Sequence, residues 1–141
     1  MGGVIRHGTN GIPMIRMFRN GHGRYAETLM DEQIVFEDEK MTSPVVFYDD
    51  NLNPLDWWKE KHSGYAKREA QQALAGTFQD PRKAKYYKLP RYFRAFAYFC
   101  IRYFLKLGFL DGIAGWRWHF WQGLWYRCLV DKEIGRLRHM K

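Results

Sequence analysis

The last third of the chain is patterned as two helices separated by glycines. Apolar and aromatic residues recur at helical spacing over 91–107 and over 116–138, and Gly108 and Gly115 lie between the two runs. Residues 81–141 hold 16 of the 25 Phe, Trp and Tyr residues of the chain. A chain of 141 residues has room for one core, which rarely needs so many large rings. We therefore expect some of these rings to face something other than the protein interior.

Short strands are predicted in the first third of the chain. Residues 13–18, 34–36 and 45–48 are β-prone runs that end at turn or charged residues. The cluster Asn20-Gly21-His22-Gly23 predicts a turn. With the helices that follow, these strands predict an α+β fold class.

A long helix is expected after the strands, with Asn53 as its N-cap, Pro54 at its first position and an end near Gly76. Residues 79–90 are interpreted as a basic linker. The predicted division is a strand region over 1–52, a connecting helix over 53–78, the linker over 79–90 and a basic aromatic helical tail over 91–141.

Charge is distributed unevenly along the chain, whose formal net charge is +8. Residues 1–80 hold nine basic and twelve acidic residues, whereas residues 81–141 hold fourteen basic and three acidic residues. A basic segment that is rich in Trp and Tyr is typical of binding to an anionic membrane surface or to a nucleic acid. Composition does not choose between these two partners. No apolar run approaches the roughly 20 residues that cross a bilayer, so we expect this tail to lie on a membrane rather than span one.

The predicted helix over 91–107 has a basic side and an aromatic side. Arg91, Arg94, Arg102 and Lys106 fall within an arc of about 120°. This pattern suits a helix that lies in the plane of lipid headgroups, and equally an ordinary helix with its rings in a core and its basic face in water. The Trp residues of the next helix do not share one face, which fits either an interfacial or a core role. The residues predicted to face a membrane are Arg94, Arg102, Lys106, Phe96, Phe99, Tyr103, Trp118, Trp121 and Trp125.

Several runs of the chain, taken in order, resemble the acceptor-side half of bacterial family 2 glycosyltransferases of the lipopolysaccharide-core and exopolysaccharide type. These runs are Arg16-Met17-Phe18-Arg19-Asn20-Gly21-His22-Gly23-Arg24-Tyr25, Leu29-Met30-Asp31-Glu32-Gln33, Asp49-Asp50-Asn51-Leu52-Asn53, Trp57-Trp58, Lys61-His62-Ser63-Gly64-Tyr65-Ala66, Arg68-Glu69-Ala70 and Arg102-Tyr103-Phe104-Leu105-Lys106-Leu107-Gly108-Phe109-Leu110-Asp111-Gly112. The resemblance covers nearly the whole chain. It rests on the order and spacing of these runs rather than on any single one. It implies that the strands belong to the acceptor half of a GT-A α/β domain.

The resemblance implies an inverting sugar transfer in which an acidic motif supplies the general base. By motif position Glu32 is the expected base, with Asp31 second, because a carboxylate must take the proton of the attacking hydroxyl. The alternative is a solvated acidic pair beside a strand. Arg16, Arg19 and Arg24 are candidates for contacts with substrate phosphates, or for structural salt bridges, because guanidinium groups match phosphate geometry.

The family implies a nucleotide-sugar donor, a lipid-linked or lipopolysaccharide-core acceptor, and a divalent metal, Mg²⁺ or Mn²⁺, held by an Asp-x-Asp motif. No such motif precedes the acidic pair, so we expect the chain to be the carboxy-terminal part of such an enzyme. By itself it should transfer sugar weakly or not at all and should bind no metal tightly. Gln33 stands where the family often has His, so the chain departs from the family pattern at this position. The expected location is the cytoplasmic face of a bacterial inner membrane.

Two other functions fit the sequence less specifically. A non-enzymatic peripheral membrane or interaction module would use the same basic aromatic surface. A nucleic-acid binder would share the charge, but no recognition motif accompanies it, so we expect no nucleic-acid partner. The histidines and the two cysteines show no spacing typical of metal ligands.

Overall fold

The computed structural model describes residues 3–9, 15, 17–25, 34–36, 39, 41–45, 52–78 and 80–140. The fold class is α+β, as predicted: a two-stranded antiparallel sheet precedes a set of helices. Strand β1 (Gly23–Tyr25) pairs with β2 (Ile34–Phe36), and Arg24 lies opposite Val35. The predicted turn before β1 is confirmed, since the His22 amide donates to the Arg19 carbonyl at 3.0 Å.

The strand predictions had mixed outcomes. The run 34–36 is confirmed as β2. Most of 13–18 and 45–48 lies outside the described residues, and the members that are described, at 15, 17, 18 and 45, are not in strands. Strand β1 was not predicted. Its first residue, Gly23, lies under the Phe18 ring, because a Cβ there would be 2.6 Å from Cδ2 of Phe18.

Helix α1 spans Leu55–Ala75. Pro54 occupies the N-cap position, so the helix begins one residue later than the sequence predicted. Gly76 ends it in the left-handed conformation, with φ of 69°, and its amide donates to the carbonyl of Gln72 at 3.0 Å. The predicted end is therefore confirmed, and its cause is the glycine, which adopts positive φ without a steric cost.

The segment interpreted as a basic linker contains helix α2 (Pro81–Lys88). The Asp80 carboxylate accepts a hydrogen bond from the Arg82 amide at 2.8 Å, and Pro81 occupies the first turn. An acidic cap followed by proline is a standard helix start, so the linker interpretation gave too little weight to a local signal.

The two helices predicted in the tail are present, and both contain π-helical turns. Helix α3 (Phe93–Cys100) continues into a π-helical turn over Ile101–Leu105. Leu107 then adopts a left-handed conformation with φ of 59°, and a 3-10 turn over Gly108–Asp111 reverses the chain. The second run comprises α4 (Gly112–Trp118), a π-helical segment over His119–Trp125, and α5 (Tyr126–His139).

The core lies between α1 and α5. Ala66 and Ala70, which share one face of α1, are fully buried and let the two helices approach closely. Val130 and Ile134 of α5 are buried against this face. At one end of the core, Trp58 packs near Trp125, with 5.9 Å between ring centroids.

Residues 3–9 pack against the reversal between α3 and α4. The Gly8 amide donates to the Lys106 carbonyl at 2.8 Å, and Arg102 Nε donates to the Gly8 carbonyl at 2.9 Å. The amides of Arg6 and His7 donate to Oδ2 of Asp111 at 2.9 and 2.8 Å. The backbone of the amino-terminal segment is therefore joined to the reversal by hydrogen bonds with one backbone carbonyl and two side chains.

Candidate functional site

The residues expected to act in catalysis are described only in part. Glu32, Asp31 and Arg16 lie outside the described residues. Arg19 is exposed in the turn before β1, and Arg24 is exposed in the middle of β1. The turn and the strand therefore each present one guanidinium group to solvent.

The prediction that Arg94 and Phe99 face outward is wrong. Their exposed fractions are 3% and 5%, which leaves neither side chain available to a membrane. The predicted arc of basic residues assumed one straight helix over 91–107, but α3 begins at Phe93 and is followed by a π-helical turn. Arg94 is buried, Arg102 is half-buried and Lys106 is exposed, so these three residues do not form one exposed basic stripe.

Arg94 is buried because Asp131 of α5 faces it. The guanidinium contacts Oδ1 of Asp131 through Nε at 2.9 Å and through a second nitrogen, and it donates to the Tyr87 carbonyl at 2.9 Å. The other carboxylate oxygen, Oδ2, accepts the Tyr92 amide at 2.7 Å. One buried carboxylate thus joins α5 to the start of α3, where Tyr92 has φ of 61°.

A second buried carboxylate, Glu69, joins α1 to α2 and α5. It accepts hydrogen bonds from Tyr87 at 2.7 Å and Tyr126 at 2.5 Å, and it pairs with Arg127 at 2.8 Å. Burial raises the pKa of Glu69, but the Arg127 charge and the two tyrosine hydroxyls outweigh that effect and hold it below its ordinary value. Glu69 is therefore ionised, and it holds α1 to α2 and α5 by accepting hydrogen bonds from three side chains.

The remaining residues predicted to face a membrane are distributed between the interior and the surface. Phe96 and Lys106 are exposed, as expected. Arg102 is half-buried and donates to the Tyr98 hydroxyl as well as to Gly8. Four aromatic residues of the predicted set are half-buried: Tyr103, Trp118, Trp121 and Trp125. The last two pack against the α1–α5 core.

A different set of apolar side chains is exposed at the reversal between α3 and α4, with exposed fractions between 44% and 77%. We call this set the apolar hairpin face. Its members are Phe104, Leu105, Leu107, Phe109, Leu110, Ile113 and Trp116. The sequence did not predict this surface because one helix was expected to end at Leu107 and the next to begin at Trp116. The available signal was the continuous apolar run across the glycine at 108.

The apolar hairpin face stands on a packed aromatic layer. Phe99 stacks on Tyr103 at 5.4 Å between ring centroids, and Trp116 meets both rings edge-on at 5.9 and 5.5 Å. Gly115 lies against Gly108, since a Cβ at Gly115 would be 2.3 Å from the Gly108 carbonyl oxygen. The backbone beneath the exposed residues is therefore tightly packed.

His119 lies behind this layer and is fully buried. Its ring fills the space beside two glycines, because a Cβ at Gly8 or Gly108 would lie 2.3 or 2.5 Å from Nε2. Burial lowers the pKa of His119, and the nearby Arg102 charge lowers it further. The ring is therefore held neutral near pH 7.

Two exposed cations, Lys106 and Arg117, directly adjoin members of the apolar hairpin face in the chain. Across the described part of the chain, no three His, Cys, Asp or Glu side chains form a group that could hold a metal ion. No helix in that part is both long and apolar enough to cross a membrane.

Comparisons with protein-family models, with curated proteins and with solved structures found no match to this chain.

Proposed function

We propose that this chain is the acceptor-side part of an inverting glycosyltransferase of family 2, and that it docks on an anionic membrane through the apolar hairpin face. The substrates would be a nucleotide sugar and a lipid-linked or lipopolysaccharide-core acceptor, in the synthesis of a cell-envelope polysaccharide. The location would be the cytoplasmic side of a bacterial inner membrane, where the protein would be peripheral. The exposed apolar hairpin face is the observation that carries the docking part of this proposal, and the resemblance carries the transferase part.

Membrane docking is supported by the energy of burying that face. Each large apolar side chain that moves from water into the lipid boundary gains about 1.5–3 kcal/mol when fully buried. Seven such side chains lie on one reversal of the backbone, so partial burial of each would together give measurable affinity for a membrane. Lys106 and Arg117 beside them would meet the phosphates of anionic lipids.

The transferase assignment is supported by the resemblance and by where its residues lie. Glu69, from the run Arg68-Glu69-Ala70, anchors three helices. Asp111, from the run that ends in Asp111-Gly112, anchors the reversal beneath the apolar hairpin face. Glu69 and Asp111, from two distant parts of the resemblance, thus both help to hold one helical unit together.

In the proposed reaction, the Glu32 carboxylate takes the proton of an acceptor hydroxyl as that oxygen attacks the anomeric carbon. The new carbon–oxygen bond forms on the face opposite the nucleotide, and the bond to the diphosphate breaks with its electron pair leaving on the diphosphate. The family's divalent metal would neutralise that leaving group. The described residues offer it no ligand group, so it enters no step assigned to this chain.

The transferase proposal is tested by the variant Glu32→Gln, with Glu39→Gln as its matched control. Transfer of a labelled sugar would be measured in membranes from cells that express the natural gene. Removal of a general base should reduce transfer by about 100-fold or more, whereas the control should keep its activity. Unchanged transfer by Glu32→Gln would contradict the role of this carboxylate.

The second candidate is a non-enzymatic peripheral membrane module, which the apolar hairpin face favours without reference to catalysis. Membrane binding together with no transfer in either the parent protein or its variants would select this function. Loss of both binding and transfer on disruption of the face would select the transferase.

A further inference from the structure

A cavity of about 290 Å³ opens between the end of α1, the junction of α2 with α3, and α5. Ala73, Leu74 and Ile134 contribute apolar parts of its lining. Lys88, Arg91 and Arg138 also line it. Small-ligand sites in proteins begin at roughly this volume, and they combine apolar walls with a few charged groups. The cavity therefore has the size and lining of a site for a small anionic group.

Most of the positive charge that lines this cavity has no acidic partner among the described residues. A fourth lining cation, Arg94, is neutralised by its buried pair with Asp131. Among the residues that the structure describes, no acidic side chain pairs with Lys88, Arg91 or Arg138, and the cavity lining includes no carboxylate. Three exposed cations thus line a space of limited volume, which favours a ligand with negative charge.

The backbone holds Arg91 at the rim of the cavity in a defined position. The next residue, Tyr92, has φ of 61°, and its amide is held by the buried carboxylate of Asp131. The Arg91 guanidinium rests against α5 at Gly135, where a Cβ would lie 2.5 Å from its terminal nitrogen. A conformation that L side chains rarely adopt persists only when its surroundings enforce it. The backbone that follows Arg91 is therefore constrained by the fold, and the Arg91 guanidinium lies against α5.

We propose that this cavity binds a phosphate group, supplied either by an anionic lipid headgroup or by a soluble phosphate ester. Guanidinium groups match two oxygens of a phosphate at once, and an ammonium group adds a point charge. Tyr92 and Phe93, which follow Arg91 directly, are exposed by 51% and 61%, so the rim of the cavity adjoins apolar surface. The site does not depend on the glycosyltransferase assignment.

The test uses the whole chain with inorganic phosphate and, separately, with vesicles. Arg138→Gln and Lys88→Gln each remove one cation from the cavity. Lys132→Gln is the matched control, because Lys132 is an exposed residue of α5 outside the cavity lining. Gly135→Ala keeps every charge but displaces the Arg91 guanidinium. Calorimetry measures phosphate binding, and co-sedimentation compares phosphatidylcholine vesicles with vesicles that contain phosphatidic acid.

The proposal is supported if phosphate binding is saturable and weakens about tenfold or more in three variants, Arg138→Gln, Lys88→Gln and Gly135→Ala. Binding by the control Lys132→Gln should not weaken. The same pattern confined to phosphatidic acid vesicles identifies a lipid headgroup as the source, and one confined to free phosphate identifies a soluble ester. An equal loss in Lys132→Gln would show only general charge attraction and would overturn the proposal. Absence of binding in both arms would also overturn it.

Discussion

The Arg94 guanidinium and the Asp131 carboxylate form an ion pair in which both side chains are almost completely buried, with exposed fractions of 3% and 1%. The same carboxylate holds the Tyr92 amide, so Asp131 positions the side chain of one residue and the backbone of another. The pair connects α5 to the start of the helix that leads to the apolar hairpin face. It therefore links the core to the candidate docking surface.

Removal of Asp131 should strongly destabilise the fold. Asp131→Ala leaves the Arg94 charge buried without its partner, a change that typically costs about 3–5 kcal/mol. The free energy of unfolding, measured by urea denaturation, should fall by that amount.

Glu133→Gln is the control for this measurement. It removes a carboxylate that pairs with a half-exposed Arg136 on the same helix, and such pairs contribute about 0–1 kcal/mol. Equal losses for the two variants would show that the Asp131 pair has no special structural role.

Two glycine-to-alanine changes should have opposite effects on stability. Gly115→Ala would force a Cβ to 2.3 Å from the Gly108 carbonyl oxygen, so the backbone must shift, with an expected loss of about 1–3 kcal/mol. Gly64→Ala, in the middle of α1, meets nothing within 4 Å and should stabilise the protein by about 0.5–1 kcal/mol. Thermal unfolding of both variants checks the prediction. A neutral Gly115→Ala would contradict the close packing at the reversal.

Stability should decrease as the pH falls below about 6.5, where histidines of the unfolded chain take up protons. Burial lowers the pKa of both His62 and His119 in the folded state, so the unfolded state binds protons first. The stability that these two histidines contribute is fully present above their pKa in the unfolded chain. It is lost as the pH falls towards their pKa in the folded state. Urea midpoints at pH 7.5 and 5.5 measure this loss.

The variant His62→Phe measures the contribution of His62 to that pH dependence. Phenylalanine can keep the ring stack on Trp58, whose centroid lies 3.6 Å from that of His62, but it cannot be protonated. The decrease between pH 7.5 and 5.5 should therefore be smaller in this variant. An unchanged decrease would assign the effect to other groups.

Local signals in the sequence predicted most of the secondary structure. The strand over 34–36, the turn before β1 and the end of α1 at Gly76 each depend on a few neighbouring residues. The helix over Pro81–Lys88 was also readable from Asp80 and Pro81, although the segment was interpreted as a linker. These features follow from propensity and capping, which act within one or two turns.

The burial of charged residues could not be predicted in the same way. Arg94 lies 37 positions from Asp131 in the chain, and Glu69 lies 58 positions from Arg127. A helical wheel contains no information about such a partner, so it placed Arg94 on the surface. The left-handed Leu107 and the 3-10 turn over Gly108–Asp111 reverse the chain where no element was predicted, and the exposed apolar set lies at that reversal.

Vesicle flotation with two leucine variants tests the membrane claim most directly. Leu105 in the apolar hairpin face and Leu52 before α1 are exposed by 77% and 88%, so Leu105→Asn and Leu52→Asn are matched changes at two surfaces. We predict that the parent chain floats with vesicles that contain anionic lipid, that Leu105→Asn weakens binding about tenfold, and that Leu52→Asn leaves it unchanged. A parent chain that stays with the soluble fraction, or equal binding by both variants, would contradict docking through this face.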